Sequence, residues 1–306
     1  MTGRIDVHQH LVPEQYARWL RSHGVDAPGG RPLPSWSPAE ALELMERQGI
    51  ATAILSLTTP GAYLGHGSDA AYVARQANEY AAQIAADHPG RFGFFATLTL
   101  PDVKAAVAEA AHALDELSAD GVMLLANSGG TYLGDRAFDP LMAVLDEHAA
   151  VVFVHPAQLP GPVIEGIAPF TADFLLDTTR AAFNLVKQDV PRRFPRIRFI
   201  LAHAGGFVPY AAHRLAITVF GETGRDLNQV LEDLSGFYFD TALSSSPAAL
   251  PSLTSFAKPG HVLYGSDWPF APELAVAYFN TWADDDAINH HNARELFPRL
   301  KEAPRA

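Results

Sequence analysis

The stretch Arg4-Ile5-Asp6-Val7-His8-Gln9-His10 decides between the two α/β architectures that the chain could adopt. Its apolar and β-branched residues predict a buried first strand, and the strand ends in two histidines. A doubly wound parallel sheet usually has a glycine-rich phosphate-binding loop at this position. Because histidines stand there instead, we predict a (β/α)8 barrel, also called a TIM barrel.

Short runs rich in β-branched and aromatic residues alternate with longer runs of helical period along the rest of the chain. We predict strands near Arg4–His8, Thr52–Leu57, Phe92–Leu98, Gly121–Ala126, Val151–His155, Ile197–His203, Phe237–Thr241 and His261–Ser266. Helices are predicted at Pro38–Gln48, Ala70–Asp87, Val103–Ser118, Pro140–His148, Ala172–Gln188 and near Tyr210–Phe220. Ser37 before the first of these helices and Gly49 after it are typical end residues. Eight alternations in this order predict a single barrel domain over residues 1–306.

Two of the predicted connections are longer than is usual in a barrel. They are Leu11–Trp36 after the first strand and Pro156–Arg196 after the fifth. Long loops that follow strands lie on the face of a barrel where enzymes hold their active sites. We therefore expect these two segments either to line a pocket or to form a surface excursion or an oligomer contact.

The composition excludes several classes of function. Hydrophobic residues make up 48% of the chain and charged residues 18%, which supports a large core and excludes disorder. A net charge of −12 without a Lys/Arg cluster argues against nucleic acid and membrane partners. The sequence has no run of about 18 apolar residues and no features of a signal peptide, so we expect a cytoplasmic protein. The lack of cysteine excludes disulfides, thiol catalysis and cysteine-bound metals.

Four of the thirteen histidines lie where predicted strands end. His8 and His10 end the first strand, His155 the fifth and His203 the sixth, and Asp267 follows the eighth. In a barrel these strand ends open on one face, so the five side chains can converge. Each one alone also fits a structural role, such as a hydrogen-bonded core histidine or an aspartate that caps a helix. Their joint placement favours a metal site.

Residues i and i+2 of a strand point to the same side, so His8 and His10 can bind one ion. Imidazole and carboxylate together suit Zn²⁺ first, with Mn²⁺ or Fe²⁺ as alternatives. We predict that one divalent ion is bound by His8, His10, His155 and Asp267. His203 could be a further ligand, but we favour an acid/base role for it. Asn127-Ser128 after the fourth strand offers no residue that could bridge two metals, so one ion is expected.

No chemistry is assigned to the other histidines, although the loop of His66 after the second strand could reach the pocket. They are His23, His66, His88, His112, His148, His213, His261, His290 and His291.

Several motifs, in order along almost the whole chain, resemble the amidohydrolase superfamily, and in particular the branch typified by aminocarboxymuconate-semialdehyde decarboxylase. They are Asp6-Val7-His8-Gln9-His10, Arg91-Phe92-Gly93-Phe94-Phe95, Val154-His155-Pro156, Ala202-His203-Ala204-Gly205-Gly206, Gly265-Ser266-Asp267-Trp268-Pro269-Phe270 and Asn292-Ala293-Arg294-Glu295-Leu296-Phe297. Three more motifs resemble the 6-methylsalicylate decarboxylases: Thr59-Pro60-Gly61-Ala62-Tyr63-Leu64, Tyr132-Leu133-Gly134-Asp135 and Asp177-Thr178-Thr179-Arg180-Ala181. The resemblance implies a TIM barrel of the metal-dependent hydrolase type, the same four metal ligands, the extra histidine at His203, and a homodimer or homotetramer.

The resemblance also implies a reaction, the non-oxidative decarboxylation of a small acid of the 2-hydroxybenzoate type. The carboxylate and the phenolic oxygen of such a substrate would chelate the metal. Protonation of the ring carbon before CO2 departs would avoid an aryl anion, with Asp267 as the preferred proton carrier and His203 as orienting or relaying group. Tyr63, Trp268 and Phe270 could form aromatic walls for the substrate, or could serve ordinary packing.

One departure from the family disfavours the aminocarboxymuconate substrate. The arginine that binds the substrate carboxylate in the semialdehyde enzymes has no clear counterpart here. Arg31 lies in the corresponding loop, but its sequence context differs. A different acid is therefore expected.

Two other functions are considered. The first is hydrolysis of a lactone, ester or amide, in which Asp267 or His203 deprotonates a metal-activated water. The motifs leave this alternative open, because the same metal site generates hydroxide. The second is a binding or scaffold protein that kept the barrel without its chemistry, and the intact ligand positions argue against it.

Overall fold

The computed structural model describes residues 3–65, 67 and 69–300, so His66 lies outside the described residues. The strands are β1 (Arg4–His10), β2 (Ile50–Ser56), β3 (Phe92–Thr97), β4 (Gly121–Leu125), β5 (Asn127–Ser128), β6 (Thr131–Tyr132), β7 (Val151–His155), β8 (Arg198–Leu201), β9 (Tyr238–Asp240) and β10 (Val262–Leu263). Eight of them form one sheet in the order β1-β2-β3-β4-β7-β8-β9-β10, and every neighbouring pair in it is parallel. Strands β5 and β6 form a separate antiparallel hairpin.

Helices follow most strands of the sheet and cover its outer face. They are α1 (Glu14–Ser22), α2 (Pro38–Gln48), α3 (Ala70–Asp87), α4 (Val103–Asp115), α5 (Asp139–Glu147), α6 (Pro169–Lys187), α7 (Val190–Arg193), α8 (Ala202–Gly205), α9 (Val208–Thr223), α10 (Leu227–Ser235), α11 (Ala249–Phe256), α12 (Glu273–Asn280) and α13 (Asn292–Leu296). Helix α2 has the predicted ends: Ser37 Oγ accepts the Glu40 N–H, and Gly49 takes a left-handed conformation. In the described part of the chain, no helix combines the length and apolarity needed to cross a membrane.

The barrel closes where the segment after β10 runs beside the end of β1. The Asp267 N–H donates to the His8 carbonyl at 2.7 Å, and the His10 N–H donates to the Trp268 carbonyl at 2.7 Å. These bonds satisfy backbone groups that would otherwise be buried without a partner. The predicted (β/α)8 architecture is therefore confirmed, and its closure brings the first and last strand ends together.

The sixth and eighth predicted strands are shorter than the sequence indicated. Strand β8 ends at Leu201, because His203 and Ala204 have positive φ angles of 54° and 57°. Strand β10 ends at Leu263, and Asp267 has a φ of 60°. A left-handed backbone does not continue a strand, so the ladder stops before these residues. His203 and Asp267 consequently lie on turns above the strand ends.

The first long connection contains more structure than expected, whereas the second has the predicted loop and helix. The segment after β1 includes helix α1, which the sequence pattern did not reveal, and the segment after β7 runs through a loop into α6. The hairpin of β5 and β6 after β4 was also not predicted. All three lie on the face of the barrel where the strands end.

Gly206, which ends the turn that carries His203, offers a test of this backbone. Its φ is +64°, and an added Cβ would lie 2.1 Å from the Leu175 carbonyl oxygen. Gly224 has a similar φ of +74° but open space around its Cβ position. We expect Gly224→Ala to cost about 1–2 kcal/mol of unfolding free energy from backbone strain alone. Gly206→Ala adds a steric clash and should cost on the order of 3 kcal/mol or more.

Urea unfolding of the two variants and the parent measures this difference. Equal losses of stability in both variants would contradict the steric account of Gly206.

Candidate active site

Four side chains from distant parts of the sequence meet at the mouth of the barrel. One ligand atom from each of His8, His10, His155 and Asp267 lies within 4.8 Å of the others, and all four residues are buried. Metal bonds of about 2.0–2.2 Å place ligand atoms within about 4 Å of one another, so the group is close to the required size. His203 is the fifth member, with its Nε2 3.5 Å from Asp267 Oδ2.

The three clustered imidazoles are held in the same way, because each ring donates through Nδ1 to an oxygen. His8 donates to Asp240 Oδ2 at 2.8 Å, His10 to the Ser56 carbonyl at 3.2 Å and His155 to the Pro156 carbonyl at 2.8 Å. The Nε2 atoms of His8 and His10 therefore lie on the side of the cluster, 3.1 Å apart, where each could bind a metal once it carries no proton. A neutral imidazole held by an acceptor in this way is the usual form of a histidine metal ligand.

Asp240 is a buried carboxylate that the sequence analysis did not single out. Its Oδ2 accepts from His8, and its Oδ1 accepts the backbone N–H of His203 at 3.0 Å and of Ala242 at 2.9 Å. One side chain thus orients a ring of the cluster and fixes the turn that carries His203. Its position at the end of β9 was a signal, because it follows the same strand-end rule as the four clustered residues.

Asp6 performs a similar task beneath the cluster. Its Oδ1 accepts the N–H groups of His8 at 3.1 Å and Ser266 at 3.0 Å, and its Oδ2 accepts from Gln9 Nε2 at 3.1 Å. Burial raises the pKa of Asp6 to about 6. The carboxyl group therefore ties β1 to the turn that presents Asp267.

In the metal-free cluster the pKa values of the members are shifted in different directions. Burial lowers the pKa of His10 and holds that of His155 well below its ordinary value, so both rings are neutral. Burial also acts against a charge on His8, but the Asp240 and Asp267 carboxylates outweigh it and raise its pKa to about 10. Although burial opposes its charge, Asp267 has a pKa well below the usual range, because His10, His203 and His8 hydrogen-bond to its carboxylate.

A cavity of about 250 Å³ opens above the cluster and includes three of its members, His155, His203 and Asp267. Its other lining residues come mainly from the two long loops and the turns after β9 and β10: Pro28, Gly29, Arg31, Thr58, Thr59, Phe170, Thr171, Phe174, Leu175, Leu243, Ser244 and Phe270. The long connections after the first and fifth predicted strands are thus walls of a pocket. Residues 161–167 of the second connection are exposed, so the surface-excursion alternative describes that part of it.

Arg31 joins three walls of this cavity. Its Nη1 donates to the Phe270 carbonyl at 2.7 Å, and its guanidinium lies 4.2 Å from the centre of the Phe170 ring. The charge is therefore already engaged by a backbone oxygen and an aromatic face. Arg31 connects the loop after β1 to those after β7 and β10.

The three aromatic residues predicted to form substrate walls lie in different places. Phe270 lines the cavity, with its ring 5.4 Å from that of His10. Tyr63 lines a neighbouring groove beside Gly129, because the loop after β2 is held by a bond of 2.8 Å from the Tyr16 hydroxyl to the Gly61 carbonyl. Trp268 packs against the barrel core, and its backbone N–H donates to Ser266 Oγ. Phe270 thus lies at the cavity, Tyr63 at the neighbouring groove and Trp268 against the core.

Comparison with known proteins places this site in a family. The chain is 38% identical over 333 residues to the decarboxylase macB of Penicillium terrestre, covering 98% of this chain and 96% of the relative. It is 36% identical over 324 residues to a 6-methylsalicylic acid decarboxylase of Penicillium expansum, covering 98% and 97% of the two chains.

A solved structure shares the fold at lower identity. The 5-carboxyvanillate decarboxylase of Novosphingobium aromaticivorans, complexed with manganese and 4-hydroxy-3-methoxy-5-nitrobenzoic acid, has a TM-score of 0.82 at 20% identity, with 97% of this chain and 96% of that chain covered. Residues 5–299 match the protein family described as Amidohydrolase. The resemblance found in the motifs is therefore confirmed, and the chain belongs to the amidohydrolase family.

Proposed function

We propose that this protein is a metal-dependent, non-oxidative decarboxylase of small 2-hydroxybenzoate-type acids. The observation that carries the proposal is the buried His/Asp cluster at the base of a cavity that also has aromatic and aliphatic walls. Pockets for drug-sized ligands occupy about 300–1,000 Å³, so a cavity of about 250 Å³ suits a smaller molecule such as a single substituted ring. The relatives named as decarboxylases, one of them for 6-methylsalicylic acid, support the same substrate class.

The proposed metal ligands are His8, His10, His155 and Asp267. Three neutral imidazole nitrogens and one carboxylate favour Zn²⁺, and Mn²⁺ or Fe²⁺ are compatible with the same set. Manganese in the 5-carboxyvanillate decarboxylase of the same fold supports a divalent ion but leaves zinc as a proposal. When bound, the ion would neutralise the substrate carboxylate and phenolate and hold the ring in place.

Proton transfer falls to Asp267 and His203. Asp267 Oδ2 would deliver a proton to the ring carbon that bears the carboxylate. The bond to the carboxylate then breaks, its electron pair restores the aromatic ring, CO2 leaves, and the proton stays on the ring carbon. Because Asp267 is ionised at rest, His203 Nε2, 3.5 Å from Oδ2, would supply the proton for each turnover. His203 lines the cavity, and its buried Nδ1 has no hydrogen-bond partner among the described residues.

The substrate proposal is tested by assays of the metal-loaded enzyme with salicylate, 6-methylsalicylate and a panel of aromatic lactones and esters. We expect CO2 and the corresponding phenol from at least one hydroxybenzoate, with one solvent deuterium on the released ring carbon in D2O. Mass spectrometry and NMR of the product measure both. Ring-opened acids from lactones without any CO2 would replace this proposal with the hydrolase alternative.

The acid/base role of His203 predicts a separate effect of its substitution. His203→Gln should lower kcat by about 10²–10⁴, the usual contribution of a general acid, because the proton route to Asp267 is lost. The bound metal should stay at one ion per chain, since His203 is outside the proposed ligand set. The control is His148→Gln, which removes a surface imidazole just after helix α5 and should keep the parent kcat. Loss of the metal from His203→Gln would instead identify His203 as a ligand.

The raised pKa of His8 predicts that metal binding depends on pH. Below about pH 10 the metal-free His8 is protonated, so the incoming ion must displace that proton. The apparent affinity should therefore rise about tenfold per pH unit between pH 6 and 9, with one proton released per ion. Electron paramagnetic resonance of free Mn²⁺ and the heat of binding in buffers of different ionisation enthalpy measure these quantities. An affinity that is constant from pH 7 to 9 would contradict the proposed coupling.

A further inference from the structure

One peptide group connects the clustered His155 to a buried carboxylate on helix α6. The carbonyl of this group, at Pro156, accepts from His155 Nδ1 at 2.8 Å. The N–H of the same group, at Ala157, donates to Asp177 Oδ2 at 2.8 Å. The Asp177 carboxylate, the peptide and the imidazole thus form one continuous hydrogen-bonded chain.

We propose that Asp177 is a positioning residue for His155 and acts on it through the Pro156–Ala157 peptide group. A carboxylate at the N–H end of a peptide polarises it and strengthens its carbonyl as an acceptor. The stronger acceptor holds the proton on His155 Nδ1 and leaves a more basic Nε2 for the metal. The inference rests on the proposed function for the metal-binding role of His155.

His8 has the same kind of carboxylate support, but without a peptide group in between. His8 donates directly to a carboxylate, Asp240 Oδ2, whereas His155 has a carbonyl as its immediate acceptor. Carboxylate partners of histidine ligands fix the ring tautomer and raise ligand basicity. Asp177 would give His155 the support that Asp240 gives His8, with one peptide group in between.

Asp177 is held firmly enough to act in this way. It is fully buried, its Oδ1 accepts from Asn127 Nδ2 at 2.9 Å, and the Tyr132 hydroxyl lies close to it. Arg180, one turn further along α6, approaches the Tyr132 hydroxyl at 3.4 Å. These donors compensate the carboxylate for its loss of water and fix its direction toward the Ala157 N–H.

This network also gives a structural role to two sequence motifs that have no part in the proposed reaction. Asp177 and Arg180 belong to the Asp177–Ala181 motif, and Tyr132 begins the Tyr132–Asp135 motif. The fold brings the two motifs together although about 45 residues separate Tyr132 from Asp177 in the chain. Their shared contact is the carboxylate that faces the peptide after His155.

The test uses Asp177→Asn, which keeps an oxygen for the Ala157 N–H but removes the charge. Thr178→Val is the matched control, because Thr178 is buried on the same helix and its Oγ1 donates only to the Phe174 carbonyl of that helix. We expect the Kd for Mn²⁺ of the full-length protein to rise about 10–100-fold in Asp177→Asn and to stay within about twofold in Thr178→Val. Urea unfolding of each variant shows whether a change in Kd follows from a general loss of stability.

A second measurement reports on the ring itself. In the metal-free protein, ¹⁵N NMR of the His155 ring should show Nδ1–H in the parent and in Thr178→Val, and a mixture of tautomers in Asp177→Asn. A residue that only anchored the loop would not change the tautomer. If Asp177→Asn does not fold, the double variant D177N/N127D replaces it. In that variant residue 177 donates a hydrogen bond to residue 127, and the same two measurements are made.

The proposal is overturned if a folded Asp177→Asn or D177N/N127D protein binds Mn²⁺ like the parent and keeps the Nδ1–H tautomer. Neither measurement uses a substrate, so the outcome is separate from that of the decarboxylation assay. A weaker Mn²⁺ affinity in a protein that releases no CO2 would support Asp177 and contradict the proposed reaction. If the parent releases CO2 but Asp177→Asn keeps the parent affinity for Mn²⁺, the reaction is supported and the role of Asp177 is contradicted.

Discussion

The hydrogen bond from His8 Nδ1 to Asp240 Oδ2 is the interaction on which the rest of the site depends. Asp240 is completely buried, and a buried carboxylate is stable only when its oxygens are fully hydrogen-bonded. Its donors come from three parts of the barrel: the ring of His8 on β1, the backbone of His203 after β8, and Ala242 after β9. The bonds that stabilise the carboxylate therefore also align the first, sixth and seventh strands of the barrel. Stability and site geometry have the same origin here.

The same constraint accounts for the strained backbone above the strands. His203, Ala204 and Asp267 are non-glycine residues with positive φ angles, a conformation that costs on the order of 1–2 kcal/mol per residue. Such strain persists only where the surroundings determine the conformation. For His203 the determinant is the bond from its N–H to Asp240, and for Asp267 it is the bond from its N–H to the His8 carbonyl. The strained backbone conformations therefore occur at the residues whose side chains, His203 and Asp267, they turn toward each other.

Much of this arrangement could be predicted from the sequence, because two rules of α/β barrels need only local sequence patterns. Apolar runs between helical segments gave the strand order, and residues at strand ends gave His8, His10, His155 and Asp267 as neighbours. The same rule would have found Asp240. The positions of Tyr63 and Trp268 depend on loop paths set by remote contacts, such as the Tyr16 hydroxyl on the Gly61 carbonyl. No local pattern reveals such a contact.

The choice between decarboxylation and hydrolysis depends on the cavity, because the metal ligands suit both reactions. Hydrolysis needs a water beside the substrate carbonyl, whereas decarboxylation needs a proton on the ring and a neutral leaving molecule. The walls contributed by Phe170, Phe174, Leu175, Leu243 and Phe270 are apolar, and the one arginine among them is engaged by a carbonyl and a ring. Thr58, Thr59, Thr171 and Ser244 add hydroxyl groups, so the cavity offers apolar surfaces for a ring and polar groups for its substituents. It therefore favours a planar aromatic acid, whose charged carboxylate leaves as uncharged CO2.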